Sequence, residues 1–346
     1  MSMIARDFGI LCGTLAPGAR NAITDVPGVR VGHYTIRSGD LNTGVTAILP
    51  HGQNLYRRKV LAASDVINGF GKSTGLVQVD ELGTLETPVL LTNTFGVGTC
   101  ANALIREAIA ANPDIGRETA TVNPVVCECN DGALSDIQAL AVTEDHARIA
   151  LASATGDDVA EGNVGAGAGM SCFGFKGGIG TSSRRLKLGG KTHHVGVLVL
   201  SNFGRAGDLV LPDGRRPSPR AIAGAEKGSV IIVLATDIAM EHRQLKRVVR
   251  RCGAGLARLG AYWGHGSGDI ALGFSTATTF DHDERDDFIA MTALNEARID
   301  ELFRAAAEAT QEAVLNSMCA AEAVRGRAGD FRPSLADWLR SQAASA

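Results

Sequence analysis

One junction in this chain combines residue types suited to attack on its own backbone. The stretch RAGDLVLPDGRRPSPRAIAGAEKG (205–228) is polar and carries Pro and Gly, so it reads as an exposed loop. It runs straight into Ser229 and then VIIVLATD (230–237), whose successive large aliphatics suit a strand buried on both faces. Gly228 has no Cβ and tolerates crowded backbone. A serine at the head of a buried strand is held fixed while the loop before it can move. That suits attack of the Ser229 hydroxyl on the Gly228 carbonyl: the amide becomes an ester, and water then releases a new N-terminus. An α-amino group has a pKa of about 7.7–8.0, so the Ser229 amine can then take the proton of its own hydroxyl without a histidine. Taken alone, a Gly-Ser step before a strand is also an ordinary turn.

The elements around that junction mix strands and helices. Pro27-Gly28 followed by Val29-Arg30-Val31 reads as a turn into a strand, and TGVTAILP (43–50) is a short apolar run. Segments 59–67 and 76–82 are mixed in pattern. TPVLLTN (87–93) reads as a buried strand, followed by a helix over 99–111. TVNPVVCEC (121–129) reads as a strand ending in the turn Asn130-Asp131-Gly132. HHVGVLVLSN (193–202) is a clear strand, GHGSGDIALGFST (264–276) a glycine turn running into another. Helices are expected over 241–259 and over 295–324. There is no internal repeat and no low-complexity linker, so one α/β or α+β domain spanning 1–346 is expected.

Composition excludes several classes. With 346 residues, 45% hydrophobic and 21% charged, the chain can bury a core without staples. A net charge of −3 and no long basic run argue against nucleic acid. No apolar run reaches the roughly 18 residues of a membrane span, and the start has no signal-like stretch. The seven cysteines are scattered, and Cys127-Glu128-Cys129 has no second pair at ligand spacing, so a reduced, cytoplasmic protein with buried thiols is expected. His193-His194 lacks a matching carboxylate set for a metal, and DHDERDD (281–287) lacks the spacing of a calcium loop. The run Gly165-Ala-Gly167-Ala-Gly169 has neither the preceding strand nor the following helix of a dinucleotide loop. It is expected to form a backbone-rich wall of the site or of a subunit junction. The 42 glycines sit beside apolar runs, which points to tight turns and not to disorder.

Several longer motifs occur in order: NAITDVPGVRVGH, NGFGKSTGLVQVDELGTLETPVLLTNTFGVG, PVVCECNDG, EGNVGAGAGMSCFGFKGGIGTSSR, GSVIIVLATD and HGSGDIALGFST. Together they resemble the self-processing aminopeptidases related to L-aminopeptidase/D-esterase and the β-peptidyl aminopeptidases. The resemblance implies a four-layer αββα sandwich like that of N-terminal-nucleophile hydrolases, with different strand connectivity. It implies cleavage between Gly228 and Ser229 into 1–228 and 229–346, chains that stay associated, commonly as tetramers of the cleaved unit. It implies removal of N-terminal residues from short peptides, amides or esters with a free amine, with no metal and no cofactor. Ser229 matches the family nucleophile and Asn202, in LSNFG, the oxyanion-hole amide. Glu128 matches the acid that anchors the substrate amine. Ser267 and Asp269 match the hydroxyl and carboxylate that orient the nucleophile and its amine. Some relatives carry Glu at this last position, and Asp269 is one methylene shorter.

Read without the family, the plainer readings are favoured: Glu128 as a solvent-facing strand-end acid, Asn202 as a turn cap, and Ser267 and Asp269 as residues of a glycine turn. His265 is expected to be structural, because the α-amine does the work of a base. Two other readings stand beside the aminopeptidase. One keeps the fold but makes it an acetyl-transferring enzyme or a nylon-oligomer hydrolase, whose nucleophile is Thr where this chain has Ser. The other is an unprocessed, non-catalytic relative.

Overall fold

The apolar runs do become strands, and their alternation decides which layer each side chain enters. The computed structural model describes residues 3–219 and 228–343. In chain order the strands are β1 (Arg30–Ser38), β2 (Leu41–Leu49), β3 (Arg58–Gly69), β4 (Thr84–Leu85), β5 (Val89–Asn93), β6 (Val125–Cys129), β7 (Ser171–Cys172) and β8 (Phe175–Lys176). They continue with β9 (Gly178–Leu188), β10 (Lys191–Asn202), β11 (Ser229–Thr236), β12 (Gly268–Asp281) and the short pair β13 (Val324–Arg325) and β14 (Phe331–Arg332). The helices are α1 (Leu76–Leu82), α2 (Val97–Ala111), α3 (Glu144–Ala152), α4 (His242–Arg250), α5 (Cys252–Ala257), α6 (Ile299–Cys319) and α7 (Leu335–Ala343).

Two sheets stack face to face. One has the order β1-β2-β5-β6, the other β4-β3-β12-β11-β10-β9. Between them lie Ile48, Leu91 and Cys127 from the first and Leu198, Leu200, Ile231, Val233 and Leu272 from the second. The outer face of the smaller sheet (Val45, Ala47, Leu90, Val126) is covered by Leu104 of α2 and Ala147 of α3. The outer face of the larger one (Val197, Val199, Ile232, Leu234) meets Leu245 and Val248 of α4 and Ala306, Ala309 and Ala313 of α6. The result is helix, sheet, sheet, helix: the four-layer α+β sandwich expected. Every residue of β11 is buried, with Ile231 and Val233 turned to the other sheet and Ile232 and Leu234 to the helices. Each such side chain contributes about 1.5–3 kcal/mol, which ties this strand tightly into the middle of its sheet.

Some boundaries differ from the sequence reading. The strand expected over 121–129 begins only at Val125, because Pro124 before it has no N–H to give a ladder. The helix expected over 241–259 is broken into α4 and α5 at Arg251, and the last long helix is confined to Ile299–Cys319. The mixed segments resolve into β3 and α1. The loop from 205 is not wholly exposed: Leu209 and Leu211 enter the core under the helices, and its 220–227 portion lies outside the described residues. Among the described residues, no helix is long and apolar enough to cross a membrane.

One buried charge network crosses the molecule. Arg184 of β9 is fully buried and reaches Glu312 at 2.7 Å and Glu308 at 3.4 Å, both on α6. Arg6 meets the same Glu312 at 2.5 Å, and Asn21 donates to it at 2.6 Å. All seven cysteines are buried thiols.

Candidate active site

Strand register brings the expected residues to one place. Ser229, the first residue of β11, pairs antiparallel with Asn202, the last of β10, and parallel with Gly268, the first of β12. The row continues to Gly69 at the end of β3. Four strand ends therefore meet at one edge of the larger sheet, with Ser229 in the middle. A cavity of about 550 Å3 opens there, lined by Phe70, Lys72, Thr94, Glu128, Asn130 and Ser229 among others. That volume lies within the roughly 300–1,000 Å3 usual for small-ligand sites.

Ser229 is almost closed off, at 6% exposure. The Gly268 N–H faces both its Oγ and the Gly228 carbonyl oxygen, each at 3.2 Å. Gly228 is obligatory here: a Cβ on it would lie 2.0 Å from the Asn202 carbonyl oxygen, a backbone atom that cannot step aside. From the opposite sheet, the Cys129 thiol donates to the Ser229 carbonyl at 3.3 Å. Burial first, then the charges of Glu128 and Asp269, push that thiol well above its ordinary pKa, so it stays protonated and a donor.

Asn202 has its amide fixed at both ends. Its Oδ1 accepts from the Ser171 N–H at 2.9 Å, and its Nδ2 donates to the Asn130 carbonyl at 2.9 Å. One amide hydrogen remains for another acceptor. Ser267 and Asp269 are both buried, and the Ser267 hydroxyl donates to the Asp269 carboxylate at 2.7 Å. Through this bond the shorter acid is tied to Ser267.

Glu128 is no solvent-facing acid. It is 2% exposed and lies on β6, in the sheet facing β11. The Lys72 backbone N–H donates to its Oε1 at 2.8 Å, and the Thr94 hydroxyl to its Oε2. These bonds hold a carboxylate against the cavity that contains Ser229. Behind it, Asp131 is fully buried, and burial pushes its pKa up to about 6.

The glycine run does not form the wall of the site, one of the two places expected for it. Gly165–Gly169 forms a short 3-10 turn packed against β1, β2 and β9, and none of it lines the cavity. A Cβ on Gly169 would lie 2.2 Å from the Asn42 carbonyl oxygen, which explains glycine there without any ligand. Its contribution is indirect: it leads into Ser171, which holds Asn202. His265 is exposed, with its ring 6.4 Å from that of Phe70.

Four supporting residues escaped the sequence reading: Lys72, Thr94, Asn130 and Asn68. The Asn68 side chain donates to the carbonyl oxygens of Gly264, at 3.0 Å, and of Ser267. Lys72 and Asn130 act through their backbones, which residue type does not reveal. Thr94 and Asn68 act across 34 and 199 residues of sequence, beyond any local pattern. The motif NGFGKSTG (68–75), which carries two of them, was the available signal.

The chain that forms this cavity, with its two stacked sheets flanked by helices, matches a known class. The model of peptidase family S58 matches residues 21–332. A β-peptidyl aminopeptidase of Sphingosinicella microcystinivorans is 39% identical over 93% of this chain and 87% of its own. The PH0078 protein of Pyrococcus horikoshii OT3 superposes with a TM-score of 0.92 at 45% identity, over 99% of both chains. The L-aminopeptidase D-Ala-esterase/amidase of Ochrobactrum anthropi, described as a variant of the Ntn-hydrolase fold, gives 0.89 at 36%, again over 99% of both.

The chain belongs to peptidase family S58. It is an aminopeptidase, with the fold of the N-terminal-nucleophile hydrolases.

Proposed function

We propose that the chain cuts itself between Gly228 and Ser229 and then works as a serine aminopeptidase, with residues 1–228 and 229–346 as its two chains. The observation that carries this reading is Ser229, paired with Asn202 and Gly268 in the sheet and lining a cavity that Glu128 also lines. In the first step Ser229 Oγ bonds to the Gly228 carbonyl carbon and the Gly228–Ser229 C–N bond breaks. The nitrogen takes up the proton that the Ser229 hydroxyl releases and leaves as the Ser229 amine. The Gly268 N–H, already 3.2 Å from the Gly228 oxygen, supports the negative charge that develops there. Water then hydrolyses the ester and restores the hydroxyl.

In turnover, Glu128 binds the ammonium of the substrate, which restricts attack to the N-terminal acyl group. The Ser229 amine accepts the proton of its hydroxyl, and Oγ attacks the carbonyl. Asn202 Nδ2 donates to the oxyanion with its remaining hydrogen. The leaving amine departs protonated, and water resolves the acyl-enzyme ester. Ser267 and Asp269 orient the Ser229 hydroxyl and amine. No step calls for a metal. Substrates are short peptides, amides or esters with a free amine, and β-aminoacyl groups are among them, as the name of the Sphingosinicella relative suggests. The processed units associate as homo-oligomers.

Mass spectrometry of the purified protein tests the processing step. The expected result is two chains, 1–228 and 229–346, with Ser229→Ala remaining a single chain that is inactive on aminoacyl amides. A wild-type protein that stays whole yet hydrolyses such amides, or a Ser229→Ala variant that splits, would sink the reading.

A further inference from the structure

Among the described residues that line the cavity of Ser229, Lys72 carries an ammonium that the reaction above does not use. Its described lining includes two charged residues, Glu128 and Lys72. Glu128 is buried and already accepts two hydrogen bonds from the protein. Lys72 is exposed, and its Nζ sits 4.1 Å from the centroid of the Phe70 ring. Among the described residues no carboxylate lies within salt-bridge reach of it. A cation on a ring face keeps its full charge and its three donors. Phe70, itself 54% exposed, lines the same cavity, so this charge is held at its rim.

The backbone fixes where that charge starts from. The Lys72 N–H donates to Glu128 at 2.8 Å, so the residue is anchored to the same carboxylate that receives the substrate amine. In a dipeptide the leaving group is a single amino acid. Its Cα lies about 3.8 Å beyond the Cα of the acyl residue, with a carboxylate directly attached. A four-carbon lysine stem spans such a distance, and a compact ammonium suits a lone carboxylate. An amide offers no charge at that point, and a longer peptide carries its carboxylate further away.

Building on the roles given above to Ser229 and Glu128, we propose that Lys72 is a specificity-determining residue that binds the free carboxylate of the leaving residue. Dipeptides, of α- or β-amino acids, are then the preferred substrate class. Glu128 reads the ammonium at one end and Lys72 the carboxylate at the other.

The test compares processed wild-type enzyme with Lys72→Gln and Lys72→Glu on three substrates: a dipeptide, its C-terminal amide and the matching aminoacyl p-nitroanilide. Wild type should favour the dipeptide over its amide by about tenfold in kcat/KM, mostly through KM. That ratio should fall to about one in Lys72→Gln, invert in Lys72→Glu, and shrink in the wild type as salt is raised. A purely structural lysine would depress all three substrates together and leave the ratio standing, which overturns the proposal. So does a wild type that prefers the amide. A wild type inert on all three, the anilide included, overturns the Ser229 and Glu128 assignment and this proposal with it.

Discussion

An amine made by a cut is a base only while it is uncharged. With an α-amine pKa of about 7.7–8.0, the activity of the processed enzyme should rise between pH 6 and pH 8 as the Ser229 amine loses its proton. It should fall again at higher pH, where the substrate ammonium proposed to bind Glu128 is lost. A bell-shaped kcat/KM profile is therefore expected, and a flat one from pH 6 to 9 would remove the amine from the role of base. Asn202→Ala should lower kcat about 10²–10³-fold in single-turnover assays of processed enzyme, the usual loss for one oxyanion donor. A loss confined to KM would contradict that role. The strand that opens at Ser229 was legible on local grounds, because a long aliphatic run beside a polar loop marks a rigid strand head. Glu128, Asn202, Ser267 and Asp269 were not, since a single acid, amide or hydroxyl looks the same at a surface turn as in a buried site. Their motifs carried them. Burial of 2% at Glu128 and the fixed amide of Asn202 are facts of packing that no local window contains.

At the scale of elements, the site depends on where strands end. Asn68, on the last turn-ward residues of β3, bonds the carbonyl oxygens of Gly264 and Ser267 and so holds the turn that delivers Ser267 and Gly268. Asn68→Ala should lower kcat about tenfold while far-ultraviolet circular dichroism stays unchanged. Full activity in that variant would show the turn to be rigid without it. Helices and the aliphatic strands were readable from periodicity and run length, because those signals are local. The pairing was not. β5 runs parallel to β6 and β11 parallel to β12, each pair joined through helices, and nothing within either strand announces its neighbour. Nor was the place of the glycine run Gly165–Gly169, which fits closely against β2 and leaves the cavity wall to other residues.

Across the whole molecule, the Gly228–Ser229 junction divides the buried charge network. Arg6, Asn21 and Arg184 stand before it, Glu308 and Glu312 after it. Removing one partner leaves charges buried without compensation. Glu312→Ala should therefore destabilise the protein by about 3–5 kcal/mol, read from chemical denaturation of the uncut Ser229→Ala background. A loss below 1 kcal/mol would mean that Arg184 finds another partner or water. The same division gives the central place of β11 a further meaning. Under the proposed cut, that strand becomes the leading end of a separate molecule, yet it lies between β10 of one chain and β12 of its own. The uncut precursor threads it by an intramolecular search whose outcome does not depend on dilution. After the cut, unfolding turns the same search into an encounter of two bodies. Recovery would then depend on protein concentration, and the architecture of the proposed two-chain enzyme would be an inheritance from the precursor.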